Sequence, residues 1–277
     1  MGARTLRRIR VLRSVLTTLL LLTISSPATA EPKVDVHFLA NEGLLLSHEG
    51  QKVLIDAFVT EPYSIYGAVP EDIWQSLLAK EAPFEQIQLA LTSHPHRDHF
   101  QPEAAKAFLE AHPETLFASS PEVIASLREI LPADSDITDR LREILPEPGE
   151  TEILERGEIR VEFLRLQHGG QRWTKLQNLG HIIQLGGKSF LHVGDAATSP
   201  ENFSPYRLAE RQLDVAFVPI WFFSQPSGQV VIREHFASRH HIAVHISPRA
   251  TSTARSQLAS EEPKVVIFEK ALEKKSY

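Results

Sequence analysis

His94-Pro95-His96-Arg97-Asp98-His99 places four potential metal ligands in six consecutive positions. The apolar run 87–92 just upstream predicts a buried strand, and 101–108 just downstream predicts a helix. The cluster therefore sits where a strand hands over to a helix, the place where α/β folds collect their chemistry. Imidazoles and a carboxylate packed this closely are costly to desolvate unless a cation offsets the loss. His94 and His96, two apart on extended backbone, point to one side and can pinch one ion. Asp98 and His99, at the turn into the helix, face differently and suit a second ion nearby. Zinc accepts this donor chemistry, and a catalytic zinc site keeps one position open for water.

A complete pair of sites needs further donors, and three isolated residues qualify. His168, Asp195 and His245 each follow an apolar strand-like run, and the first two are flanked by glycine. His240 and His241 compete with His245, but they begin the apolar run that His245 ends. His192 and His181 read as packing histidines of a hairpin, and Asp56 reads as a carboxylate that orients loops or ligands. His37, His48, His112 and His235 have no ligand-like context.

Outward from the cluster, the spacing predicts short strands over 34–38, 43–47 and 52–56, joined by hairpin turns at Asn41-Glu42 and at 49–51. A loop over 58–69 and helices over 70–81, 102–111 and from Pro121 follow, with a further helix expected over 134–145. The second half restarts with strands over 151–154, 159–166, 180–185 and 189–193, with Gly186-Gly187 as a hairpin turn. A helix over 204–212, strands over 215–219 and 242–246, a helix over 251–261 and a strand over 264–269 complete the pattern, with a charged, solvated tail over 269–277. Two halves of strands then helices imply an α/β fold, an αββα four-layer sandwich.

The first 30 residues have the anatomy of a cleavable secretory signal: five arginines, an apolar run over 15–24 and Ala28-Thr29-Ala30. That run is well short of the ~20 apolar residues a spanning helix needs, so no stable membrane anchor is expected after cleavage. Residues 31–277 form the expected functional domain, secreted or periplasmic. Removing the leader takes five of the 29 basic residues and none of the 35 acidic ones, leaving a formal charge of −11. So acidic a protein lacks the basic field that nonspecific nucleic-acid binding requires, and no nucleic-acid partner is expected. Cysteine is absent, which excludes disulfides, thiolate ligands and thiol nucleophiles.

The ordered set His94, His96, Asp98 and His99, then His168, then Gly194-Asp195, then His245, resembles the metallo-β-lactamase fold superfamily. The run ending at Asp56 and the paired strands leading to Asp195 resemble its early strand motif and its central hairpin. The resemblance implies the sandwich of metallo-β-lactamase type and a dinuclear centre of zinc, with iron or manganese as substitutes. His94, His96 and His168 would hold one ion, Asp98, His99 and His245 the other, and Asp195 would bridge them. It further implies a hydroxide between two ions ~3.5–4 Å apart, with Asp98 orienting the nucleophile or passing a proton. β-Lactamases of the superfamily use cysteine or serine at the place of Asp195, which argues against antibiotic hydrolysis. Di-iron relatives place a glutamate where this chain has His96. The chain is loosely similar to the branch containing N-acyl-phosphatidylethanolamine phospholipase D-like and ascorbate-lactone hydrolase proteins.

The implied reaction is hydrolysis of an ester, lactone or phosphodiester in a small-molecule or lipid-like substrate. Trp221, Phe222 and Phe223, and more weakly Tyr63 and Tyr66, are candidates for an apolar wall beside the site. Two rivals stay open: a mononuclear iron oxygenase of the same fold, and a metal-binding or sensing protein without turnover.

Overall fold

The computed structural model describes residues 33–261 and 264–277. The expected leader over 1–30 lies outside the described residues, among which no helix is long and apolar enough to cross a membrane. The first half runs β1 (Asp35–Ala40), β2 (Gly43–His48), β3 (Gln51–Ile55), α1 (Glu71–Leu78), β4 (Leu89–Leu91), α2 (Pro102–Ala111), β5 (Leu116–Ser119), α3 (Pro121–Arg128) and β6 (Leu141–Glu143). The second runs β7 (Thr151–Arg156), β8 (Ile159–Gln167), β9 (Gln177–Leu185), β10 (Lys188–His192), β11 (Val215–Pro219), α4 (Ile220–Ser224), α5 (Pro226–Val230), β12 (His240–Val244), α6 (Thr251–Glu261), β13 (Val266–Ile267) and β14 (Lys274–Ser276).

Period-two alternation sorts the strand side chains into layers. Leu45, Leu54 and Ala90 face the helices of the first half, while Leu44, Leu46, Val53, Ile55, Leu89 and Leu91 face inward. The second half mirrors this: Phe163, Ile183, Phe190, Phe217 and Val244 face inward, and Leu164, Ile182, Leu191, Ala216 and Ala243 face outward. The inward residues of both sheets form one central core, flanked by two cores beneath helices. The result is an αββα sandwich of two sheets, ordered β14-β1-β2-β3-β4-β5-β6 and β13-β12-β11-β10-β9-β8-β7.

Several segments differ from the expected pattern. Residues 134–145 form a 3₁₀ turn, Asp136–Arg140, and then β6 rather than a helix. Ile137, Leu141 and Ile144 are spaced as on a helix face, but β6 instead pairs with the open edge of β5. Residues 204–212 break into 3₁₀ turns, with Arg207 and Gln212 left-handed at φ 50° and 52°. There the Tyr206 phenol donates to the Arg165 carbonyl at 2.6 Å, tying the segment to β8. The strand expected over 264–269 shrinks to β13. The charged tail over 269–277 is solvated as expected, its side chains exposed or half-buried, but it also supplies β14, which pairs with β1 and is pinned where Lys274 and Ser276 meet Asp35 at 2.8 and 2.5 Å.

β3, β4, β8, β10 and β12 all point their C-terminal ends to one rim. Asp56, the 94–99 cluster, His168, Asp195 and His245 leave the sheets there, the cluster starting, and each single residue lying, within three residues of a strand end. Gly194 permits the approach of the two halves at that rim. Its φ is +53°, and a Cβ would lie 2.5 Å from Asn178 Oδ1 and 2.7 Å from Ser93 Cβ. Gly194→Ala is therefore expected to cost about 3 kcal/mol, from left-handed backbone plus overpacking, read as a shift in urea midpoint of the metal-free protein. An unchanged midpoint would refute this account of the turn.

Candidate metal centre

The rim is built on Asp56, a fully buried carboxylate just past β3. Its Oδ1 accepts the Ser93 backbone N–H at 2.7 Å, its Oδ2 accepts the Ser93 hydroxyl at 2.5 Å, and His99 Nδ1 lies 2.8 Å from Oδ2. This lashes β3 to the start of the 94–99 turn and leaves His99 Nε2 facing the opposite way. His94 is oriented similarly, with Nδ1 3.0 Å from Ser93 Oγ, and His168 directs Nδ1 to the Gly169 carbonyl at 2.6 Å. Outward nitrogens fixed in this way set which inward nitrogen is available.

The structure brings all seven predicted residues together. One group of donors comprises His94, His96, His168 and Asp195; a second comprises Asp98, His99 and His245. In the first, His94 Nε2 and His96 Nδ1 are 3.0 Å apart, and Asp195 Oδ2 lies 3.8 Å from His94 Nε2 and 3.5 Å from His168 Nε2. In the second, Asp98 Oδ2 lies 3.7 Å from His99 Nε2 and 3.2 Å from His245 Nε2. The other oxygen of Asp195, Oδ1, turns to this group, 3.3 Å from His99 Nε2 and 3.2 Å from His245 Nε2. Donors ~2.0–2.2 Å from a tetrahedral ion sit ~3.3–3.5 Å from one another, so both spacings suit a cation. Four of the donor atoms are also buried without alignment for hydrogen bonds: His99, His168 and His245 Nε2 and Asp195 Oδ1 have no such partner. Nitrogen and oxygen donors without sulfur fit a divalent metal such as zinc, iron or manganese.

Asn41, at the β1–β2 turn, also belongs to the site. Its amide donates to the Asp98 carbonyl at 3.1 Å and to Asp98 Oδ2 at 3.4 Å, and its backbone carbonyl accepts the His245 N–H at 3.3 Å. Asn41, Asp56 and His245 all hold left-handed backbone, φ 47°, 43° and 58°, so each is a strained position beside the centre. Sequence reasoning assigned residues 41 and 42 to an ordinary turn. A polar hairpin tip carries no signal of what it touches.

A cavity of about 760 Å³ opens onto the donors His96, Asp98, His168 and Asp195. Tyr63, Ile65, Tyr66, Trp173 and Trp221 wall it. Tyr66 and Trp221 both stand edge-on to His245, at 4.4 and 5.0 Å, and Trp173 stands edge-on to His96 at 4.6 Å. The three adjacent aromatics divide their roles: α4 turns Trp221 to the cavity and buries Phe222 and Phe223 in the outer core. Trp173 carried no expectation, although an aromatic shortly after His168-Gly169-Gly170 was the available hint. His181 and His192, opposed across the β9–β10 hairpin, lie outside both donor groups, buried and stacked at 5.7 Å.

Burial and mutual charge set the protonation of the metal-free cluster. Burial lowers His245, but the charge of Asp195 and contacts with Asp195 and Asp98 outweigh it and push His245 up to about 10. Burial is likewise outweighed at His99, which Asp195 and Asp56 hold well above the ordinary imidazole value. Burial and then the neighbouring His168 bring His96 down to about 4. Asp195 is held well below the carboxylate range, because His245 and His99 overcome its burial.

His245 and His99 thus carry protons at pH 7 that a cation must displace. Metal uptake is expected to release about two protons per chain, and affinity to fall as pH is lowered. Calorimetric titration in buffers of different ionisation heat checks this, and heats independent of buffer would contradict it. The His245 contribution to metal-free stability is complete below the ordinary imidazole pKa and is lost as pH rises through about 10.

The sequence matches the beta-lactamase superfamily domain over residues 51–267. A search of curated proteins gives no match. Among solved structures, the chain is similar to isothiocyanate hydrolase from Delia radicum gut bacteria, at 14% identity and TM-score 0.63, covering 88% of this chain and 99% of that one. It is also similar to Igni18, a metallo hydrolase from the archaeon Ignicoccus hospitalis, at 15% identity and TM-score 0.59, covering 88% and 98%. CmlA, a diiron beta-hydroxylase from Streptomyces venezuelae, shares 16% identity at TM-score 0.53, covering 90% of this chain and 54% of CmlA. At these identities the structures speak to fold, whereas the domain match spans most of the chain. The chain belongs to the beta-lactamase superfamily, with the metallo-β-lactamase fold and the buried His/Asp metal-binding cluster of a metal-dependent hydrolase.

Proposed function

We propose that the chain is an exported dinuclear zinc hydrolase of an ester, lactone or phosphodiester in a small-molecule or lipid-like substrate. The supporting observation is the posture of Asp195, which offers Oδ2 to one donor group and Oδ1 to the other. His94, His96 and His168 with Asp195 would hold one zinc, and Asp98, His99 and His245 with Asp195 the other. Bound there, two zinc ions supply a nucleophile from water at neutral pH and Lewis acidity toward the scissile carbonyl or phosphoryl oxygen.

The protein does the rest. The aromatic walls seat an acyl, aryl or lipid-like body and exclude water from it. Burial, then the charges of Asp98 and Asp195, push the Tyr66 phenol up to about 12, so it faces the cavity as a protonated donor. Asp98 lines the cavity while Asn41 holds its carboxylate, a placement suited to orienting the nucleophile and passing a proton to the leaving group.

The test is to count metals in the purified chain and screen phosphodiester, lactone, thioester and β-lactam substrates beside Asp98→Ala. Two zinc per chain and hydrolysis reduced at least ~10²-fold in the variant are expected. One iron per chain without zinc-dependent hydrolysis would favour oxygen chemistry. Activity indifferent to Asp98 would remove the mechanism.

A further inference from the structure

Glu42 occupies the tip of the β1–β2 hairpin, where a glutamate ordinarily extends into water; here it is wholly buried. The turn is shaped for this. Asn41 before it has φ 47°, and at Gly43 after it a Cβ would sit 2.9 Å from the Ala40 carbonyl oxygen and 3.1 Å from that of Asp56. Only a turn pressed against the rim of β3 sends residue 42 inward.

The Glu42 carboxylate meets two sets of groups. Its Oε2 is 3.0 Å from His192 Nε2, and His192 Nε2 is 3.9 Å from Asp56 Oδ2. One of its oxygens also lies within 4.8 Å of a ring nitrogen of His99 and a carboxylate oxygen of Asp195. Glu42 Oε2 meets His192 Nε2 as an ion pair, and no backbone N–H caps either of its oxygens. Glu42 is not among the residues lining the cavity and so does not touch substrate.

We propose that Glu42 is a positioning residue that strengthens binding of the second cation, at Asp98, His99 and His245; this rests on the two-cation reading above. Glu42 holds His192 at 3.0 Å and leaves Asp56 Oδ2 the closer partner of Ser93 and His99, so His99 keeps the orientation that aims Nε2 at the centre.

The experiment is a competition titration of the full chain with zinc, reading the two stepwise constants in wild type, Glu42→Gln and the double variant Glu42→Gln/His192→Gln. The double variant removes both charges at once, so no buried imidazolium is left alone. Wild type is expected to bind two equivalents. In both variants the first constant should stay within about threefold, and the second should weaken about 10–100-fold, the range for partners that orient ligands. A merely structural glutamate would lower the melting temperature of the metal-free protein and leave both constants unchanged; that result overturns the proposal. A third wild-type equivalent that vanishes in Glu42→Gln makes Glu42 a ligand and overturns it too. Failure of both variants to fold assigns Glu42 to stability and likewise overturns the positioning role. A wild type that binds one equivalent removes the two-cation reading and this proposal together, whereas two equivalents with indifferent variants remove this proposal alone.

Discussion

Asp195→Asn is expected to lower hydrolysis by about 10³-fold or more, the loss of at least ~4 kcal/mol of transition-state stabilisation. Asparagine keeps the volume but gives up the charge and one of two acceptor oxygens. Both donor groups depend on those oxygens, Oδ2 facing His94 and His168 and Oδ1 facing His99 and His245. Metal content should therefore fall at both groups, which elemental analysis after dialysis reads independently of any substrate. If the variant retained two tightly held ions, Asp195 would not be the bridge.

Asp56→Ala should give the largest loss of stability of any single change at the rim, about 4 kcal/mol in urea unfolding of the metal-free chain. The carboxylate is fully buried, and its removal strands the Ser93 N–H and hydroxyl, His99 Nδ1 and the nearby His192. Breaking a buried charged partnership from one side costs ~3–5 kcal/mol. Asp56→Asn keeps acceptor capacity and should cost less, while still weakening zinc about 10–100-fold because His99 loses the partner that fixes its ring. Similar stability in Asp56→Ala and wild type would show that the lashing of β3 to the 94–99 turn carries no energy.

Much of this was legible because the chemistry is written in local runs. The six residues from His94 declare themselves, and His168, Asp195 and His245 stand out because each follows an apolar strand on a fold whose strand ends share one rim. Three kinds of feature escaped. The 134–145 segment carries a helix-like apolar spacing that the open edge of β5 overrides. The residues of β14 are exposed, as a solvated tail would be, and nothing local shows the strand that β1 makes of them by a partner 239 positions away along the chain. Asn41 and Glu42 look like any hairpin tip, and only the docking of that tip against Asp98, His245 and His192 reveals their work. In each case the deciding interaction is long-range, and no window of sequence contains it.

The seven donors divide unevenly between the sheets. Four follow β4 of the first sheet, and three follow β8, β10 and β12 of the second. A cation seated among them is therefore a fastener across the seam of the sandwich. The unfolded chain offers no such grip, so metal affinity adds directly to the free energy of folding. At a thousandfold excess over the dissociation constant that is about 4 kcal/mol, comparable to a disulfide in a protein that has no cysteine to make one. The thermal endurance of this enzyme is thereby tied to the trace-metal content of its surroundings, and a chelator would act on it as a reducing agent acts on a cross-linked protein.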